Sequence, residues 1–132
     1  MGRFSAGDGR MNGVGIDVVA VSRMATSLAR TAGFAESVFS APERAHCEAQ
    51  RLPARHFALH FAAKEGFLKA LGLGLWSGVA LPDIEVRRAD GGAPRLALGP
   101  TARAALDRAG GGEPLLQLSA QGDVAMAMVV LP

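Results

Sequence analysis

Apolar and polar positions along this chain change period several times, and each change marks an element. The run Val14-Gly-Ile-Asp-Val-Val19 is short and β-branched, and it predicts a buried strand interrupted by Asp17. Ser22 is placed to cap a helix over residues 23–31 that ends at Gly33. Ser40-Ala-Pro-Glu43 carries a fuller start signal: Ser at the cap, Pro in the first turn and Glu to complete a capping box. That helix spans residues 42–51, and Pro53 breaks or restarts it. Over residues 54–71, Phe57, Phe61, Leu68 and Leu71 recur at spacings of four, seven and three, marking one apolar helix face, with Gly72 as its stop. Residues 73–78 form a loop. Residues 83–88 and 94–98 read as two strands around a turn at 89–92. A short helix over 101–109 is closed by the glycines at 110–112. Residues 115–119 and 124–131 form a last hairpin across Ala120-Gln-Gly-Asp123. Short strands and helices in mixed order predict an α+β fold, a mostly antiparallel sheet packed on a long helix.

Length and composition narrow the function classes. At 132 residues, 49% of them hydrophobic and 20% charged, the chain is globular and most simply one domain over residues 13–132. Residues 1–12 are Gly-rich and polar and read as a flexible N-terminal segment. A net charge of +2 supplies no broad basic face, and one Trp, six Phe and no Tyr supply no stacking platform, so no nucleic acid is expected as partner. No apolar run approaches the roughly 20 residues of a membrane span, so no membrane partner is expected either. The single Cys47 fits a reducing cytoplasm.

Lysine usage changes the picture most. The chain has only Lys64 and Lys69, both in Phe61-Ala-Ala-Lys-Glu65-Gly-Phe-Leu-Lys69-Ala-Leu-Gly72. A compact, mobile ammonium suits a phosphate or a tunable proton site, where the rigid arginine fork substitutes poorly. Glu65 and Lys69 are i,i+4 and share a helix face, either as a site or as a plain exposed ion pair. Lys64 and Lys69 stand about 140° apart around the axis, so they would flank a site. Asp17 costs several kcal/mol to bury in an apolar strand unless a metal, a partner such as Arg23 or a strand-end position compensates it. Two carboxylates on separate elements suit Mg²⁺, which is held by one or two carboxylates plus substrate phosphates. Three histidines and one cysteine without ligand spacing do not suit zinc.

The remaining motifs read as structural. Gly13-Val-Gly15 lacks the third glycine of a dinucleotide fingerprint. Gly72-Leu-Gly74 follows a helix instead of preceding one, so it is not a P-loop, although Gly74 would let a ligand approach the backbone. Cys47 and His46 are adjacent on a helix and do not face each other. His56 and His60 read as surface or interface histidines. No protein nucleophile stands out.

Several segments together resemble the holo-acyl-carrier-protein synthases. Gly13-Val-Gly-Ile-Asp17 with Ser22-Arg23-Met24 resembles their opening strand and helix, and Phe39-Ser-Ala-Pro-Glu43 their Phe-(Ser/Thr)-x-x-Glu segment. Phe61-Ala-Ala-Lys-Glu65 with Lys69-Ala-Leu-Gly72 resembles their most characteristic motif. The resemblance implies the phosphopantetheinyl transferase fold. It implies Mg²⁺-dependent transfer of the 4′-phosphopantetheine arm of coenzyme A to a serine of an apo acyl carrier protein, releasing 3′,5′-ADP, in fatty-acid or polyketide biosynthesis. By motif position, Asp17 and Glu65 would be metal ligands and, with Lys69, catalytic. Lys64, Lys69, Gly72, Gly74 and Ser119 would contact coenzyme A. The carrier protein would dock on basic side chains near Arg23 and Arg30. A homotrimer with active sites at the subunit interfaces is implied as well. The chain departs from the pattern at Ala120, where the family usually has His after the Ser matched by Ser119, at Val124, where Tyr is common, and at His60, often Arg. Those departures open two other readings. One is a repurposed member acting on the acyl chain of a carrier protein, by dehydration or cyclisation. The other is a non-catalytic module that binds a carrier protein or coenzyme A.

Overall fold

The computed structural model describes residues 12–88 and 91–132, and its order of elements follows the sequence pattern with four differences. Strand β1 (Gly13–Ala20) leads directly into helix α1 (Val21–Arg30). Helices α2 (Phe34–Val38), α3 (Ala41–Glu48) and α4 (Pro53–Ala70) follow. A 3-10 turn over Leu81–Asp83 opens the hairpin of β2 (Ile84–Arg88) and β3 (Pro94–Leu98). Helix α5 (Pro100–Ala109) then precedes the hairpin of β4 (Leu115–Gln121) and β5 (Val124–Leu131). All pairing is antiparallel: one sheet of order β1-β5-β4 and a separate β2-β3 ribbon. Residues 1–11, and Ala89 and Asp90 of the β2–β3 turn, lie outside the described residues.

The first difference is at α1. Ser22 does not cap it; the helix begins at Val21, and Asp123 from the β4–β5 turn satisfies two of its orphan donors. The Asp123 carbonyl accepts the Val21 N–H (2.8 Å), and its carboxylate accepts the Ser22 N–H (2.8 Å) and hydroxyl (2.7 Å). Second, the last turn is only Gly122-Asp123, because Gly122 takes φ +58° and lets β4 pair out to Gln121 opposite Val124. Third, α2 and the 3-10 turn were not expected; five and three residues are too short to show a period.

Fourth, α4 does not bury one face but most of its circumference. Phe57, Ala58, Ala62, Ala63, Phe67, Leu68 and Ala70 are all buried, between the three-stranded sheet, α1, α3 and β2. It approaches the sheet closely because small residues line the seam. A Cβ on Gly15 would lie 1.9 Å from the Gly66 carbonyl oxygen, and one on Gly13 would lie 2.0 Å from that of Ala70. The Gly13-Val-Gly15 pattern therefore serves helix–strand packing. At its end α4 closes in a Schellman motif: Gly72 at φ +72° donates to the Lys69 carbonyl (3.0 Å), and Leu73 to that of Leu68 (2.8 Å).

The sheet has two unlike faces. Ala125, Ala127, Val129 and Leu131 of β5 point inward and are buried. The alternate residues form an outward apolar face that no part of the described chain covers, with Ile16 51%, Val18 59% and Leu115 61% exposed alongside Val14, Met126 and Met128.

Candidate active site

Asp17 shares the inward face of β1 with Gly13 and Gly15, so the glycine seam delivers its carboxylate to the side of α4. There it meets Lys69, whose ammonium donates to Asp17 Oδ1 (2.8 Å) and to the Ile16 carbonyl (3.2 Å). The Asp17 side chain is 15% exposed and that of Lys69 50%, so the pair sits at the mouth of the site. The predicted Arg23 partner is not used; Lys69 takes its place.

Glu65 lies one turn before Lys69. The expected i,i+4 ion pair between them does not form, because Lys69 reaches across to β1. Glu65 Oε1 is instead buried with no hydrogen-bond partner among the described residues. Burial, and then the neighbouring Asp17 carboxylate, push its pKa above the ordinary carboxylate value against the opposing pull of Lys69. A buried carboxylate oxygen without a donor, beside a second carboxylate, is met either by a proton or by a bound cation. Two oxygen ligands fit Mg²⁺ completed by water and phosphate, and no larger group of three or more His, Cys, Asp or Glu that could hold a metal ion occurs among the described residues. A cleft of about 330 Å³ opens beside the pair, lined by Arg23, Ser27, Phe34 and Phe61 as well as Asp17 and Glu65.

Lys64 is placed elsewhere, and the expectation that it faces a phosphate is corrected. Its ammonium is fully buried and all three of its protons are used, on Glu43 Oε1 (2.6 Å), the Leu81 carbonyl (3.0 Å) and the Ile84 carbonyl (2.6 Å). Glu43 is the hub of this cluster. Besides completing the α3 capping box with Ser40, it accepts from the Val86 N–H (3.1 Å) and bonds His60 Nδ1 (2.9 Å). Burial would raise the Glu43 carboxyl, but the His60 hydrogen bond and the Lys64 ammonium outweigh it and hold the pKa below the usual value. His60, expected at the surface, is thus a buried partner of Glu43. Burial also pushes the Cys47 thiol up to about 12, so Cys47 is inert.

The other expected contacts disperse. Gly72 ends α4, and Gly74 stands in an open loop with nothing within 4 Å of where a Cβ would be. Ser119 is exposed on the outward face of β4 opposite Met126, whereas Asp17 faces inward opposite Ala127. Within one chain Ser119 and Asp17 therefore do not meet. Ala120 turns inward, and its carbonyl accepts from Arg55 (3.1 Å). Sequence reasoning missed Glu43 as a hub and Asp123 as a cap. The i,i+4 spacing of His60 and Lys64 on an apolar helix was the signal for the first; the second had none.

Residues 13–129 match the family model described as ACPS, the 4′-phosphopantetheinyl transferase superfamily. A holo-[acyl-carrier-protein] synthase of Syntrophotalea carbinolica is 44% identical over 122 residues, covering 91% of this chain and 94% of the relative. The crystal structure of holo-[acyl-carrier-protein] synthase from Neisseria meningitidis superposes with a TM-score of 0.83 at 27% identity, over 93% of this chain and 99% of that one. An ACPS–CoA complex from Chronobacterium ammoniagenes gives 0.79 at 32% identity, over 92% and 96%.

Proposed function

This chain belongs to the 4′-phosphopantetheinyl transferase superfamily, and from that premise we propose that it moves the 4′-phosphopantetheine arm of coenzyme A onto a serine of an apo acyl carrier protein. The serine Oγ–phosphorus bond forms, the phosphorus–oxygen bond to 3′,5′-ADP breaks, and the hydroxyl proton passes to solvent. The observation that carries this reading is the orphaned Glu65 Oε1 beside Asp17. Those two carboxylates would hold Mg²⁺, which when bound neutralises charge on the phosphates. Lys69, half exposed and tethered to Asp17, is placed to bind a phosphate oxygen without losing its anchor. Phosphoryl transfer asks for positioning and charge neutralisation more than covalent help, which suits a site with no nucleophile of its own. Lys64 falls outside this set and acts through the fold.

The outward apolar face supports a homotrimer with active sites at the interfaces. A contiguous apolar patch of this kind marks an interaction surface. Ile16 and Val18 flank Asp17 directly, so a copy seated on them would stand at the rim of the site. Ser119 lies on that same face, where a neighbouring copy's cleft, and not its own, would be within reach. Arg23 at the cleft and Arg30 along the exposed side of α1 support docking of an acidic carrier protein there. Among the described residues no helix is long and apolar enough to cross a membrane; coenzyme A and an acyl carrier protein as reactants support a cytoplasmic reaction.

The test is the intact mass of an apo acyl carrier protein incubated with this chain, coenzyme A and Mg²⁺. A gain of one phosphopantetheine supports the reading; an unchanged mass beside an active control enzyme sinks it.

A further inference from the structure

All three histidines of the chain gather on the side of α4 away from Asp17. The His46 and His60 rings stack at 5.8 Å and 19°, and His46 meets His56 edge-on at 6.2 Å. His60 is five positions from Glu65, about 140° around the helix, so this cluster opens in a different direction from the carboxylate pair. Arginines of the β2–β3 ribbon close the other wall. His46 and His60, with Arg87, Arg88 and Arg95, line a cleft of about 280 Å³, and His56 stands beside it against the His46 ring.

The charge here is one-sided. Arg87 and Arg95 are direct cross-strand partners, an arrangement that repels when both side chains carry the same sign. Among the described residues, no carboxylate lines the cleft. Glu43 behind it is saturated by Lys64, His60 and the Ser40 and Val86 N–H groups, and Glu85 is taken by Arg87 Nε. Burial first, then His60 and Arg88, hold the His46 pKa below the ordinary imidazole value; for His56 the causes are burial, His46, His60, Arg88 and Arg55. The His46 imidazole and the Arg88 and Arg95 guanidinium groups, which pair with no carboxylate among the described residues, line this open cleft and match the oxygens of a phosphate. We infer that the cleft between α3, α4 and the β2–β3 ribbon is a second anion site, shaped for a phosphate group and separate from the Asp17–Glu65 pair.

The test is a titration with inorganic pyrophosphate, without Mg²⁺, following the His46 and His56 side-chain resonances by NMR at several pH values. The proposal predicts that both move and that both pKa values rise on saturation, because an anion favours the protonated ring. It predicts the same response in Asp17→Ala, and a dissociation constant raised about tenfold by Arg88→Gln or Arg95→Gln, both exposed positions. Still histidine resonances, an affinity unchanged in the Arg88→Gln/Arg95→Gln double variant, or a response lost in Asp17→Ala would each overturn it. Coenzyme A added to the pyrophosphate-loaded Asp17→Ala protein then fixes the source: displacement assigns the site to a phosphate of that molecule, and no displacement to a separate phosphate ligand.

Discussion

Lys64 and Lys69 lie five residues apart on α4, each against a carboxylate, yet the two pairs serve opposite ends. Lys64 and Glu43 are sealed from solvent, and every proton and most lone pairs are matched by α3, β2 and the 3-10 turn. Lys69 and Asp17 stand half open at a cleft, next to a carboxylate oxygen that has no hydrogen-bond partner among the described residues. A closed, satisfied cluster locks elements together and has nothing left to offer a ligand. An open cluster with an unmet oxygen costs stability and is ready to bind. The same side-chain chemistry on one helix becomes scaffold or site according to whether its hydrogen bonds are complete.

The comparison breaks most easily on stability. Glu43→Ala leaves Lys64 buried without its counter-charge, which costs about 3–5 kcal/mol. Chemical denaturation should show that loss, whereas Lys69→Ala should shift the same curve by no more than about 0.5 kcal/mol. Equal effects from the two would erase the distinction between the pairs.

Activity should invert the order. Asp17→Ala is expected to lower phosphopantetheine transfer by about 10³-fold or more while the denaturation midpoint barely moves, since it removes charge organised for the transition state. Steady-state assays at saturating Mg²⁺ check this. Lys69→Ala should cost about 10–100-fold, with Lys69→Arg recovering only part, because the fork does not fit the ammonium's place between Asp17 and the Ile16 carbonyl.

A smaller effect sharpens the electrostatics. The folded pKa of Glu65 is raised, so the folded state holds its proton more tightly than the unfolded chain does. This group's contribution to stability therefore falls as pH rises from the ordinary carboxylate value through the raised one. Glu65→Gln should remove that fall and raise the melting temperature of the metal-free protein by about 2 °C at neutral pH, while abolishing transfer. Because metal binding competes with that proton, the Mg²⁺ concentration needed for half-maximal wild-type activity should rise as pH falls. A Glu65→Gln protein that melts lower than wild type would contradict the orphaned oxygen.

Much of this was legible in the chain, and what escaped did so for definable reasons. The capping box at Ser40, the span of α4 and the β2–β3 strands are local signals, and the structure forms all three. Asp17 announced itself as an acid in an apolar strand, and Glu65 with Lys69 by their spacing. The partner choices were not local. Lys69 pairs across 52 positions with Asp17, and Lys64 across 21 with Glu43. On a helix buried nearly all round, the sequence does not say which lysine points to solvent and which to α3. Asp123 as the cap of α1 is the extreme case, a contact across 101 positions from a turn that looked only like a turn.

The most direct test of the open pair is calorimetric titration of coenzyme A into wild-type, Asp17→Ala and Glu65→Gln protein, each with and without Mg²⁺. The account predicts that Mg²⁺ tightens binding to the wild type by at least about tenfold and has no effect on either variant. Equal binding with and without Mg²⁺ in the wild type, or a Mg²⁺ effect that survives both substitutions, would contradict it.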